Sequence, residues 1–193
     1  MTSLSNMNIA QPAQAANILE TLLSFLQRLF PDKTQRAALA PLYAAIVAEG
    51  RDPFWYREGE VPDTLDGRFD MIAALTALVL IRLEAEGEAG RGPAVLLTEI
   101  FIDDMDANVR QLGIGDYVVG KHVGRMVGAL GGRLAAFRAG RVSGSLAEAV
   151  RRNVFHDSPP SEAALASVAG RLERRAEALD RARLDALLEG RLG

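Results

Sequence analysis

The chain has 193 residues, with 22 Lys+Arg against 25 Asp+Glu for a formal net charge of −3, 49% hydrophobic residues, 2 His and no Cys. A length of this order suits a fold that buries roughly 70% of its unfolded surface, and the apolar fraction is too high for a disordered chain. The lack of cysteine excludes a disulfide framework, a thiol nucleophile and a Cys-based metal site, and the small negative charge excludes a globally basic nucleic-acid binder, so no specific DNA partner is expected.

Taken in chain order, nearly every segment reads as helix. The first seventeen residues contain no Lys or Arg, which argues against a secretory or mitochondrial targeting segment. Asn17 and Glu20 have capping-box spacing, and Ile18, Leu22, Phe25, Leu26 and Leu29 follow at helical intervals up to Pro31. A second helix is predicted from about Asp32 to Gly50, with Leu39, Leu42, Ile46 and Val47 inward and a kink or restart at Pro41. Arg51 to Arg68 reads as a loop with Phe54, Trp55 and Tyr56 in a row.

The third helix, from about Arg68 to Glu86, is apolar on all faces in its middle and is expected to be central and buried. Its charge-free apolar run, Met71 to Ile81, is about half the ~20 residues needed to cross a bilayer. A soluble cytoplasmic protein is therefore expected, and the Ala, Leu, Arg and Gly bias suits a bacterial source. Gly87 to Pro93 reads as a turn. A fourth helix follows to Leu112, with Leu97, Phe101, Met105, Val109 and Leu112 on one stripe, and Gly113 ends it. Asp116 can cap a fifth helix to about Ala139, and Ser145 with Glu148 offers a capping box for a short helix ending near Phe155. After Pro159-Pro160, Ser161 to Glu189 reads as one long helix with Leu165, Leu172 and Leu179 seven apart and Val168 beside them. The fold class is all-α: a compact bundle of roughly seven helices with a central buried helix and a long C-terminal helix. Three parts are expected: an N-terminal helical extension (1–33), a helical domain (34–158) and the C-terminal long helix (159–193).

No constellation specifies a reaction. Gly115 to His122 matches most of a phosphate-binding loop, but His122 stands where a hydroxyl must hold Mg²⁺, and the segment follows a helix rather than a strand. Asp104, Asp106 and Asn108 open like a calcium loop, but Val109 and Gly115 occupy the positions that need Gly and Glu. His122 and His156 are far apart and belong to no ligand or nucleophile motif. No cofactor or metal is expected, and the chain reads as a non-enzyme.

Three features read as binding surfaces. Gly120, Gly124, Gly128 and Gly132, followed by Ala136, form one slowly drifting ridge. Gly in a helix interior costs about 0.8–1 kcal/mol relative to Ala, so four of them require a reason: close packing of another helix of the same chain, or the floor of a groove for a partner helix. Charge is uneven as well. Met1 to Asp116 has net charge −8, Tyr117 to Pro160 has +5 and Ser161 to Gly193 has zero. The basic residues Lys121, Arg125, Arg133, Arg138, Arg141, Arg151 and Arg152 either pair with acidic faces such as Asp103, Asp104 and Asp106 or meet an anionic surface, of ribosomal RNA or lipid. The Phe54-Trp55-Tyr56 loop either plugs the core, the favoured expectation, or anchors a partner.

The order of several blocks resembles the ubiquinol–cytochrome c chaperone family. From Leu42 to about Phe155, the similar residues are Val61-Pro62-Asp63-Thr64 with Gly67-Arg68-Phe69-Asp70-Met71-Ile72, then Phe101 to Asp106 (with Asp104 and Asp106) followed by Arg110, Gly113, Gly115 and Asp116, and finally Gly132 to Phe137. Residues before about Thr34 and after Pro159 lie outside the resemblance. Glu60 stands where the family often has Gly, the central helix lacks a His near Thr76, and Leu130-Gly131 replace a usual aromatic pair. The resemblance implies an assembly chaperone for nascent or apo cytochrome b in biogenesis of the cytochrome bc complex. A small partner protein, and contact with the ribosome or the inner face of the membrane, are implied with it. The alternative reading is a general helical adaptor that associates through its C-terminal helix.

Overall fold

The computed structural model describes residues 33–111, 116–156 and 158–193; the side chains of residues 33, 108–111 and 116–127 fall outside that description. The helix expected around residues 17–30 also lies outside it. The described elements are all helical: α1 (Lys33–Gly50), α2 (Pro53–Arg57), α3 (Leu65–Ala85), α4 (Glu88–Gln111), α5 (Asp116–Ser143), α6 (Ala147–Val150) running into a π turn (Arg151–Phe155), α7 (Glu162–Arg181) and α8 (Leu184–Leu188).

Helix α3 is the centre of the bundle. Every residue from Asp70 to Leu80 is buried, three turns with no wet face, because α1, α4, α5, α7 and the π turn pack around it. Its start is three residues earlier than its hydrophobic pattern suggests. Thr64 is the N-cap, its hydroxyl accepting from Gly67 N at 3.1 Å, so the polar first turn belongs to the helix. The stretch expected to be a loop contains α2, started by Asp52, whose carboxylate accepts from Phe54 N at 2.9 Å, and by Pro53 in the first turn.

The turn expected over Gly87–Pro93 shrinks to Glu86-Gly87, with Gly87 at φ 61°. Gly90 belongs to α4, where a Cβ would lie 1.8 Å from the Leu83 carbonyl oxygen. Glycine here permits close helix approach rather than flexibility. Helix α5 runs four residues past its expected end and stops before Gly144, at φ 82°.

The C-terminal helix is not one piece. Ser161 caps α7 as its sequence suggests, accepting from Ala164 N at 3.1 Å, but the chain turns extended at Ala182 and Arg183. Neither Gly nor Pro marks the break. The cause is distant in sequence: the buried Arg82 of α3 donates from Nε to Leu179 O at 2.8 Å and from Nη2 to Ala182 O at 2.9 Å. Arg82 thus adds a second donor to Leu179 O, which already accepts from Ala182 N at 3.1 Å, and supplies one to Ala182 O beyond the helix end. The seam Leu165, Val168, Leu172 and Leu179 is fully buried in the same core as Leu42, Trp55 and Leu78. It faces inward, against the bundle, so the surface on which a general adaptor would associate is already occupied.

Candidate functional site

The block Pro62 to Asp70 forms the N-terminal end of α3 and one wall of a cleft of about 570 Å³. Several residues there have structural tasks. Gly67 lies so close to the Pro62 carbonyl oxygen that a Cβ would stand 1.9 Å from it. Asp63 pairs with Arg68 at 2.8 Å. Phe69 packs 5.9 Å from the Phe101 ring, and the Arg133 guanidinium lies 5.3 Å from the Phe69 ring centroid. Val61, just before the block, is buried in the core.

At the back of the cleft Asp70, on α3, pairs with Arg133, on α5; both are buried. Arg133 Nη2 also donates to Asn153 O at 3.1 Å and Nη1 to Ala129 O at 3.3 Å, while its Nε finds no partner. His156 brings Nε2 to 3.1 Å from the second Asp70 oxygen. Burial pushes Asp70 above the usual carboxylate range and holds Arg133 below the usual guanidinium range; their mutual attraction opposes both shifts. His156 sits at φ 42°, ψ −113°, a backbone conformation L residues rarely adopt. Asp70 and Arg133 thus tie α3, α5 and the π turn together. Sequence reading placed Arg133 on a basic surface and found no partner for His156. The available signal was Asp70 itself, a carboxylate preceding an apolar run on a helix without a wet face, which requires a buried cation.

The glycine ridge is resolved for its second half. Gly128 and Gly132, with Gly131 between them, are exposed, and a Cβ at any of the three meets nothing within 4 Å. Among the described residues, close packing of another helix does not account for them. The outer face of α5 continues with exposed Ala135, Ala139 and Val142, so it is a track of small apolar residues bordering the cleft. Gly120 and Gly124 lie earlier on α5, where surroundings are not described, as are the side chains of Lys121, Arg125 and Asp116; Gly113 lies outside the described residues.

The basic region does not form a free positive face among the described residues. Arg133 is buried. Arg138 meets Glu84 at 2.6 Å, Arg141 meets Asp180, Arg151 meets Glu162 at 3.1 Å and Arg152 meets Glu148 at 3.1 Å. The acidic partners of these described arginines are thus Asp70, Glu84, Asp180, Glu162 and Glu148 rather than Asp103, Asp104 or Asp106. Asp103 pairs with Arg36 at 2.5 Å, and Asp104 accepts from the Tyr43 hydroxyl at 2.7 Å. Asp106 is half-buried on α4.

The aromatic trio is a plug. Trp55 is 0% exposed and donates from Nε1 to Glu49 O at 2.7 Å, so it is no anchor for a partner. Phe54 and Tyr56 are half-buried. Arg171 of α7 lies over Phe54 and Trp55, 4.6 and 4.4 Å from their centroids, and bonds Asp52 at 2.7 Å and Glu49 at 3.2 Å. The Tyr56 hydroxyl donates to Gly50 O, and burial pushes its pKa up to about 12.

Glu60 explains a departure noted in the sequence. Its φ is 55°, in the left-handed region that favours glycine. Its carboxylate accepts from both the amide and the hydroxyl of Ser161, at 2.8 and 2.9 Å, fastening the N-cap of α7. These bonds hold the Glu60 carboxyl below its usual range.

Among the described residues no helix is long and apolar enough to cross a membrane, and no group of acidic and His side chains could hold a metal ion. The model of the family described as ubiquinol-cytochrome C chaperone matches residues 57–192. The fold matches the crystal structure of the Cbp3 homolog from Brucella abortus with a TM-score of 0.72 and 28% sequence identity, covering 88% of this chain and 93% of that one. No curated protein matches. The matched region begins later than Leu42 and extends well past Pro159, so the C-terminal helices lie inside it, in keeping with their place in the common core.

Proposed function

The chain belongs to the ubiquinol-cytochrome C chaperone family, and from that premise we propose that it binds newly made cytochrome b and assists biogenesis of the cytochrome bc complex. The family match over residues 57–192 carries the reading. The exposed small-residue face of α5 supports it: three helix-interior glycines, at about 0.8–1 kcal/mol each, face open space. Small residues let an incoming helix approach to backbone distance, and cytochrome b is built of such helices. A binding surface of this kind needs no catalytic group, in line with a non-enzymatic role. Attachment to a ribosome or an anionic membrane draws no support from the described arginines of the basic region, which are paired or buried.

A photoreactive amino acid in place of Gly132 tests this, in cells expressing tagged cytochrome b, with Glu177 on α7 as the control position. The expected result is a cytochrome b adduct from position 132 and none from 177. No adduct from either position would overturn the reading.

A further inference from the structure

Helix α1 is apolar on every side through its middle. From Ala37 to Ala48 it reads Ala-Ala-Leu-Ala-Pro-Leu-Tyr-Ala-Ala-Ile-Val-Ala, without one charged side chain. Leu39, Leu42, Tyr43 and Ile46 are buried in the core. Ala37, Pro41, Ala44 and Ala48, which share the opposite face at helical spacing, are exposed. Helices α3, α4 and α8 pack on α1, and Gly190 comes against the Pro41 carbonyl, yet among the described residues this outer face stays open. A helix that is apolar all round is normally covered all round.

The chain itself supplies a matching occupant. The hydrophobic pattern of residues 17–30 predicts a helix with Ile18, Leu22, Phe25, Leu26 and Leu29 on one arc and Glu20, Ser24, Gln27 and Arg28 on the other. Such a helix has a single apolar face to bury. Only Pro31 and Asp32 separate it from the start of α1, and helices joined by so short a connection lie antiparallel, side by side. Residues equally far from the connection then stand level: Leu26 with Ala37, Leu22 with Pro41, Leu19 with Ala44. Bulky side chains at the centre of the arc meet small ones on α1, as close packing of two helices requires. The lengths agree as well, since the predicted helix and the open face each run roughly 20 Å.

We propose that residues 17–30 fold back as an antiparallel helix on the outer face of α1. The segment expected as an N-terminal extension then belongs to the bundle and completes the cover of α1. This inference does not depend on the client reading.

The chain has no cysteine, so introduced pairs report cleanly. The test compares the purified full chain carrying Leu19→Cys with Ala44→Cys against one carrying Leu19→Cys with Gly132→Cys, each treated with a short bis-maleimide. The expected result is a crosslink within one chain for the 19–44 pair, independent of protein concentration, and none for the 19–132 pair. A second measurement follows maleimide labelling of Ala44→Cys alone. Adding Leu22→Asp and Leu26→Asp should undock the segment and speed that labelling at least ~10-fold, with α3 still protected in amide exchange. A 19–132 crosslink would place the segment on α5 instead, and a 19–44 crosslink formed only between two chains would make a second copy the occupant. Either result, no 19–44 crosslink at all, or labelling that the aspartates leave unchanged would overturn the proposal.

Discussion

Gly67 and Gly128 are the same residue type on neighbouring helices, and they answer to opposite forces. At Gly67 a methyl group would stand 1.9 Å from the Pro62 oxygen, so Gly67→Ala must push the Val61–Thr64 segment away from α3. We expect a clear fall in melting temperature. At Gly128 the same methyl meets nothing within 4 Å, and only helix propensity acts. Gly128→Ala is expected to stabilise by about 0.5–1 kcal/mol in urea denaturation, whereas Gly128→Leu should keep the fold and impair client capture. The Asp70–Arg133 pair is a third residue-scale case. Asp70→Asn leaves a buried guanidinium without its counter-charge and should cost about 3–5 kcal/mol; Asp70→Leu with Arg133→Met should recover most of that loss. The sequence shows the glycines and the arginine but not their neighbours. Helical spacing says which residues share a face, and only the packing of α3 on α5 says that Arg133 points inward and Gly132 outward.

At the scale of elements, helix existence is legible from periodicity and caps. Thr64 is missed as an N-cap because polar, turn-like sequence follows it, Asp52 because the helix it starts is only five residues long and too short to show a period, and the break at Ala182 is missed because its cause is Arg82, a hundred positions away. Helix α7 is held at its start by Glu60 and along its length by Arg171 on Asp52. Both carboxyls lie below their usual range, Glu60 through its bonds to the Ser161 amide and hydroxyl, Asp52 through its bonds to Arg171 and the Phe54 amide. A depressed folded-state pKa gives stability that is present above the unfolded pKa and is lost as pH falls through the folded one. The docking of α7 should therefore loosen below about pH 4. Amide exchange of α7 residues is expected to rise there before that of α3, and Glu60→Gln should blunt the pH dependence. Exchange that rises equally in α3 and α7 would contradict this.

The described residues share one core, built from Leu39 to Leu187. Read by sequence, the stretch after Pro159 is an appendage with its own heptad seam. In the fold, that seam is four fully buried aliphatic side chains, together worth roughly 6–12 kcal/mol of burial at ~1.5–3 kcal/mol each. This is comparable to the entire stability of a typical domain, about 5–15 kcal/mol. Truncation after Pro160 is therefore expected to abolish cooperative unfolding, not to yield a stable body without an adaptor arm; a sharp thermal transition in the truncated chain would contradict the single core. Counting charge by segment, −8, +5 and zero, suggests an oriented molecule, but the five described arginines of the +5 segment are paired within the chain, with Glu84, Asp180, Glu162, Glu148 and Asp70. Among the described residues, the small-residue track on α5 is the distinctive surface left. The most direct test of the assigned role is a pulse–chase of tagged cytochrome b in cells with and without this chain. The account predicts a shorter lifetime of newly made cytochrome b and less assembled bc complex when the chain is absent, both restored by the wild-type protein. An unchanged lifetime together with a normal level of the complex would contradict it.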